Sequence, residues 1–257
     1  MLRRLIELVY APLAAAMFVL VCAPVCLAII VGPTLAVRRE TGRLGARLVL
    51  AAIGIRIRVR GLEHLPPGPC IVVSNHASYL DGLVLTAALP RRFTFVVQDG
   101  AERWPLVGLT IRRMGVSFVN REEPRAGAAQ TRALIRALGE GESLVVFAEG
   151  TFKAPPGLLS FKKGAFLMAA RAQVPVVPCA IRGTRHVLGG ARRRLRWGPI
   201  GVELRPALAP PPAGDRPAAL LLRDRTRQVV LELSGEPDRA QAHHAAEHAG
   251  GDPALEA

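Results

Sequence analysis

The sequence predicts an α/β fold, a central mixed sheet flanked by helices, preceded by a membrane helix or a re-entrant helical hairpin. Short apolar, β-branched runs at 71–73, 143–147, 174–181 and 200–204 alternate with helical stretches, a pattern that covers a sheet with helices on both faces. Polar clusters emerge at the ends of several of those runs, where α/β sheets place ligand chemistry. Residues 9–37 carry no charge, more than the roughly 20 residues that suffice to cross a bilayer.

The N-terminal segment, 1–54, is read as a membrane anchor with an interfacial helix. Pro24 interrupts the apolar run and Gly32-Pro33 lies near its end, so a kinked span and a re-entrant hairpin are both compatible with it. Arg38, Arg39, Arg43 and Arg47 outnumber Arg3 and Arg4 on the other flank, which by the positive-inside rule puts the following domain in the cytoplasm. Residues 41–53 mix arginine with leucine as a basic amphipathic helix would, lying on the interface or packing on the domain.

Residues 55–233 form the main domain. Ile55, Ile57 and Val59 alternate with Arg56, Arg58 and Arg60, as in a half-exposed edge strand. Strands are expected at 70–73, 93–97, 115–119, 143–147, 174–181 and 200–204. Helices are expected from Tyr79 and at 104–114, 124–138, 162–172 and 216–233. From Ser234 to 257 the composition turns to Ala, Gly, His and charge and reads as a disordered tail, with His243, His244 and His248 as no more than adventitious metal ligands.

The chain has 257 residues, 50 % of them hydrophobic, yet 34 Lys and Arg against 20 Asp and Glu leave a net charge of +14. Greasy and basic together point to an anionic membrane surface or an anionic ligand. Aromatics are 5 % and no nucleic-acid motif appears, which argues against nucleic acid as a partner. Cys22 and Cys26 lie in the apolar run and Cys70 and Cys179 in strand-like runs, without zinc spacing or a disulfide framework. A reducing compartment follows, and no metal or redox cofactor is called for.

The most informative stretch runs from Cys70 to Asp81. A buried strand leads into Ser74, Asn75 and His76, and Asp81 follows His76 after four intervening residues, close enough to turn its carboxylate onto the imidazole. Such a carboxylate fixes one tautomer and stabilises the imidazolium, the base half of a triad. With no Gly-x-Ser-x-Gly elbow in the chain, the base would act directly on a substrate hydroxyl. A loop histidine beside a helix-capping aspartate gives the same letters. Three further clusters recur: residues 115–121, ending in Arg121, whose fork suits a phosphate or solvent; residues 147–151, bringing Glu149, Gly150 and Thr151 to a strand end or an ordinary turn; and the proline-bracketed 174–178.

In this order and spacing, Asn75-His76-Ala-Ser78-Tyr-Leu-Asp81, 115–121, 147–151 and 174–178 resemble the four blocks of the glycerolipid acyltransferase superfamily, and most nearly the bacterial 1-acyl-sn-glycerol-3-phosphate acyltransferases. Arg60-Gly-Leu-Glu63 and Ser160-Phe-Lys-Lys-Gly-Ala-Phe166 fit the same pattern, and the likeness spans about residues 55–207. The resemblance implies a glycerol-3-phosphate acyltransferase-like fold. It also implies acyl transfer from acyl-coenzyme A or acyl-acyl carrier protein to the free hydroxyl of a lysophospholipid, giving phosphatidic acid without an acyl-enzyme.

By the same resemblance His76 is the general base and Asp81 its orienter, while Arg121, Glu149, Gly150 and Thr151 form the phosphate site, with Asn75 and Lys162 also at the substrate. Ala148 replaces the usual proline of the third block, and Phe152 stands where arginine or serine often follows the threonine. Lys153, Lys162 or Lys163 would then supply the charge, or the acceptor would be a lyso-ornithine lipid, another lysophospholipid or glycerol 3-phosphate. A membrane adaptor that binds anionic lipid without catalysis is the rival from a different class. The Arg-rich stretch 192–196 suits donor phosphates, the membrane or plain solvation.

Overall fold

The computed structural model describes residues 2–98, 106–119, 124–150, 155–189 and 195–240. Among them the strands are β1 (Ile57–Arg60), β2 (Ile71–Ser74), β3 (Phe93–Gln98), β4 (Ser117–Val119), β5 (Ser143–Phe147), β6 (Val176–Arg182) and β7 (Ile200–Leu204). They join in one sheet of order β1-β7-β6-β2-β5-β3-β4, parallel from β6 across to β4. β7 runs antiparallel to β6, and β1 is parallel to β7, so the sheet is mixed as the sequence predicts. β2 sits near the centre, every one of its residues buried, which is what a continuous β-branched run between two covered faces requires.

The described helices are α1 (Leu2–Val31), α2 (Leu35–Ala52), α3 (Asp81–Ala88), α4 (Val107–Arg113), α5 (Pro124–Gly139), α6 (Gly164–Ala172), α7 (Thr184–Val187) and α8 (Arg216–Ser234). Alternation along β2 sorts them. Val72 faces a core shared with Leu50 of α2 and Val84 of α3, whereas Ile71 and Val73 face Leu134 of α5, Phe166 of α6 and Val230 of α8. β5 and β7 fall where the sequence puts them. The helix after His76 begins at Asp81 and not at Tyr79, because the Asp81 carboxylate accepts from the backbone N–H groups of Ala77 and Ser78 and holds the preceding turn out of the helix.

The apolar N-terminal run bends at Gly32-Pro33, while Pro12 and Pro24 stay inside α1. Thr34 then caps α2 by accepting from the N–H of Val37 at 3.2 Å, so α2 starts earlier than its amphipathic pattern suggests. The two helices return antiparallel, and Tyr10 donates to the carbonyl of Ile53 at 2.7 Å. Residues 9–31 are long and apolar enough to cross a membrane, with mean hydropathy 2.8. Of the α2 cations only Arg39 is buried, paired with Glu142 at 2.6 Å, while Arg47 donates to the carbonyl of Ala87 from an exposed position. Leu44 and Leu48 are exposed, continuous in character with exposed Leu13, Leu20 and Leu27 of α1.

Close approach of the hairpin depends on Gly45, where an added Cβ would stand 2.2 Å from a methyl of Val25. Gly45→Leu is therefore expected to force α1 and α2 apart and to cost about 1–3 kcal/mol, read as a lowered thermal midpoint in detergent. An unchanged midpoint would mean that the helices separate freely.

The tail expected to be disordered from Ser234 is held in place as far as Ala240. Leu158 N–H donates to the carbonyl of Pro237 at 2.8 Å, Arg239 N–H returns a bond to Leu158 at 3.1 Å, and Asp238 pairs with Arg227. The backbone bonds reach a loop some eighty positions earlier and the ion pair reaches back to α8, contacts that composition does not register. His243, His244 and His248 lie outside the described residues.

Candidate functional site

Three neighbouring strands, β6, β2 and β5, deliver their C-terminal ends together. Past the last β2–β6 ladder pair, the Asn75 side chain takes over as a substitute peptide: its Oδ1 accepts from Ile181 N–H at 2.8 Å and its Nδ2 donates to Ile181 O at 3.0 Å. Expected at the substrate, Asn75 is buried and spends its amide on fixing the backbone that presents His76.

His76 Nδ1 lies 2.9 Å from Asp81 Oδ2, the same oxygen that accepts from Ala77 N–H at 2.6 Å and Ser78 N–H at 2.8 Å. With two backbone N–H groups already on that oxygen, the geometry suits the tautomer with its proton on Nδ1, which makes a third donor. Nε2 is then the nitrogen that accepts a proton. Asp81 is fully buried, and its Oδ1 has no hydrogen-bond partner among the described residues. The imidazole stacks on Phe147 with ring centroids 4.3 Å apart and keeps about a fifth of its side chain exposed. Ser78 donates to the carbonyl of Leu188 and so ties the loop to the segment after α7.

Glu149 has both oxygens engaged by main chain. Oε1 accepts from His76 N–H at 2.6 Å and Oε2 from Leu159 N–H at 2.8 Å. Burial raises its carboxyl to about 7, against the pull of those two donors and of the nearby Arg185 cation. Placed by resemblance at a phosphate, it clamps the loop bearing His76 to the loop after β5. Gly150 closes the turn between them with φ +82°, its N–H donating to Phe147 O at 3.1 Å. Lys162 N–H donates to Ala148 O at 2.7 Å, and its side chain is exposed. Arg121 and Thr151 lie outside the described residues.

Sequence reasoning missed Arg185. It follows β6 on α7, pairs with Glu236 at 2.9 Å, and acts on Glu149 through its charge. Glu236 also accepts from Gly157 N–H at 2.6 Å, so the ordered end of the tail buttresses the loop that Glu149 grips. The available signal was Gly183-Thr184-Arg185 at a strand end, the same signature as the other clusters.

A mixed α/β sheet with an imidazole–carboxylate pair at the end of its central strand is an arrangement able to take a proton from a hydroxyl placed at the imidazole. A family model described as Acyltransferase matches residues 56–182. Human 1-acyl-sn-glycerol-3-phosphate acyltransferase beta is 34 % identical over 193 residues, 72 % of this chain and 68 % of its own length. A chloroplastic 1-acyl-sn-glycerol-3-phosphate acyltransferase of Brassica napus is 34 % identical over 177 residues, 68 % of this chain. The chain belongs to this acyltransferase family. It spans about half the length of its chloroplastic relatives, 49 % in Brassica napus and 42 % in Arabidopsis thaliana. The crystal structure of the 1-acyl-sn-glycerophosphate acyltransferase of Thermotoga maritima shares the fold, with a TM-score of 0.69, 22 % identity, and coverage of 90 % of this chain and 95 % of that one.

Proposed function

We propose that this chain transfers an acyl group from a thioester donor, acyl-coenzyme A or acyl-acyl carrier protein, to the free hydroxyl of 1-acyl-glycerol 3-phosphate, forming phosphatidic acid. The observation that carries the reading is the His76–Asp81 pair at the end of β2 in a member of this family. His76 Nε2 takes the hydroxyl proton as the oxygen attacks the thioester carbonyl. Collapse of the tetrahedral intermediate expels the thiolate, which recovers the proton from the imidazolium while Asp81 steadies that charge. The chemistry needs no metal or redox group.

Arg121, Gly150, Thr151 and Lys162 are the residues proposed for the acceptor's phosphate, near the ends of β4 and β5. Glu149 and Asn75 serve it indirectly, by holding the loops. The arginines that follow the apolar run favour a cytoplasmic catalytic domain, and the charge of +14 favours an anionic bilayer such as a bacterial inner membrane. Acyl transfer in detergent micelles, with lysophosphatidate beside lyso-ornithine lipid, other lysophospholipids and glycerol 3-phosphate, tests the assignment. Diacyl product from lysophosphatidate is expected. Product from another acceptor alone removes the headgroup assignment, and no product from any donor–acceptor pair removes the reaction and favours a lipid-binding adaptor.

A further inference from the structure

The sheet face opposite the helical hairpin carries a second concave surface. Between α5, α6 and α8 lies a groove of about 470 Å³ lined by Lys162, Lys163, Arg171 and Arg223, with the Thr131 hydroxyl among them. Among the described residues none that lines it is acidic. α5 and α6 contain no Asp or Glu along their length, and α5 adds Arg132 and Arg136. On α8, Asp224 accepts from Arg223 Nε at 2.8 Å, which leaves the rest of that guanidinium fork to face a ligand. A solvated surface commonly mixes signs, whereas a concave wall of cations concentrates anions.

Position narrows the anion further. The groove begins at Lys162, whose N–H is bonded to Ala148 O, and the next residue, Glu149, is bonded to His76 N–H. From that edge of the site it runs along α6 on the face away from the exposed apolar surface of α1 and α2. A lipid acceptor drawn to the exposed apolar surface of the hairpin would leave this face to a water-borne donor.

We propose that Lys163, Arg171 and Arg223 of the groove bind the phosphate of the acyl donor's 4′-phosphopantetheine arm, with Lys162 at its edge left to the acceptor, so that the thioester at the arm's far end reaches His76. Coenzyme A and acyl carrier protein both present that phosphate, and guanidinium forks with lysine ammonium groups suit it. The inference rests on the acyl-transfer reading, and its test separates the two.

Coenzyme A, 4′-phosphopantetheine and phosphate-free pantetheine are titrated calorimetrically into the full chain in detergent, as wild type and as the Arg171→Glu, Arg223→Glu double variant. The two phosphorylated ligands are expected to bind wild type and to weaken at least about tenfold in the variant, while pantetheine binds both alike. Unchanged affinity for the phosphorylated ligands overturns the proposal. The milder Arg171→Gln, Arg223→Gln pair, checked for an unaltered thermal midpoint, decides the matter if charge reversal unfolds the chain. In turnover, the donor KM is expected to rise about tenfold with the acceptor KM unmoved. A rise with one donor only supports the groove and identifies the carrier; a rise in the acceptor KM alone overturns it. If wild type transfers no acyl group, the reaction assignment falls, and the calorimetric comparison still decides the groove.

Discussion

His76→Ala is expected to lower kcat/KM for acyl transfer by about 10²–10⁴-fold while leaving the fold intact. The ring is partly exposed, and its removal leaves Asp81 Oδ2 with the N–H groups of Ala77 and Ser78, so the loop keeps its shape. The same cannot be said of Asp81→Ala, which strips an acceptor from three donors at once and mixes catalysis with folding. The histidine variant therefore isolates proton transfer. Steady-state kinetics with lysophosphatidate, beside a thermal unfolding scan, is the measurement; a loss of less than tenfold with an unchanged midpoint would mean that another group is the base.

Glu149→Gln is expected to lower kcat by one to two decades and to change how stability depends on pH. Glutamine keeps the volume, but its NH₂ must face one of two backbone N–H donors, His76 or Leu159, at a cost of about 1–3 kcal/mol. In the wild type the folded carboxyl holds its proton up to about 7, against 4.5 for the ordinary group. Between these values the folded state binds a proton that the unfolded state has released. This contribution to stability is thus fully present below 4.5 and lost as pH rises through about 7, on the order of 3 kcal/mol in all. The glutamine variant lacks it. Thermal midpoints from pH 4 to 8 should fall for wild type relative to the variant through that window; parallel curves would sink the role given to burial.

What the sequence made legible was local. The apolar run at 143–147 and the alternation at 200–204 can each bury themselves in few ways, and both became strands with those bounds. α8 was equally readable, since Asp215 caps it, accepting from Ala218 N–H, and a proline follows at the start of the helix. The His76–Asp81 pair was visible because its partners are five positions apart.

What remained hidden was long-range. Asn75 looks like a ligand contact until Ile181, 106 positions on, is seen to occupy its amide. Glu149 looks like part of a phosphate loop until its oxygens meet main chain 73 positions back and 10 forward. α2 posed the converse problem: its periodicity announces two faces without saying which is wet, and the buried one is built from Gly42, Gly45, Ala46, Val49 and Leu50, with Arg39 joining them against Glu142.

The clamp at Glu149 and the buttress at Glu236 also set an order of events during synthesis. The apolar hairpin leaves the ribosome before the domain that follows it and can enter a bilayer before that domain exists. The loop bearing His76 follows early, but its anchors come later, at Glu149, at Ile181 and, through Gly157, at Glu236. Nascent chains can therefore be tethered to a lipid surface well before they are competent on it, and competence waits for the residues that follow α8.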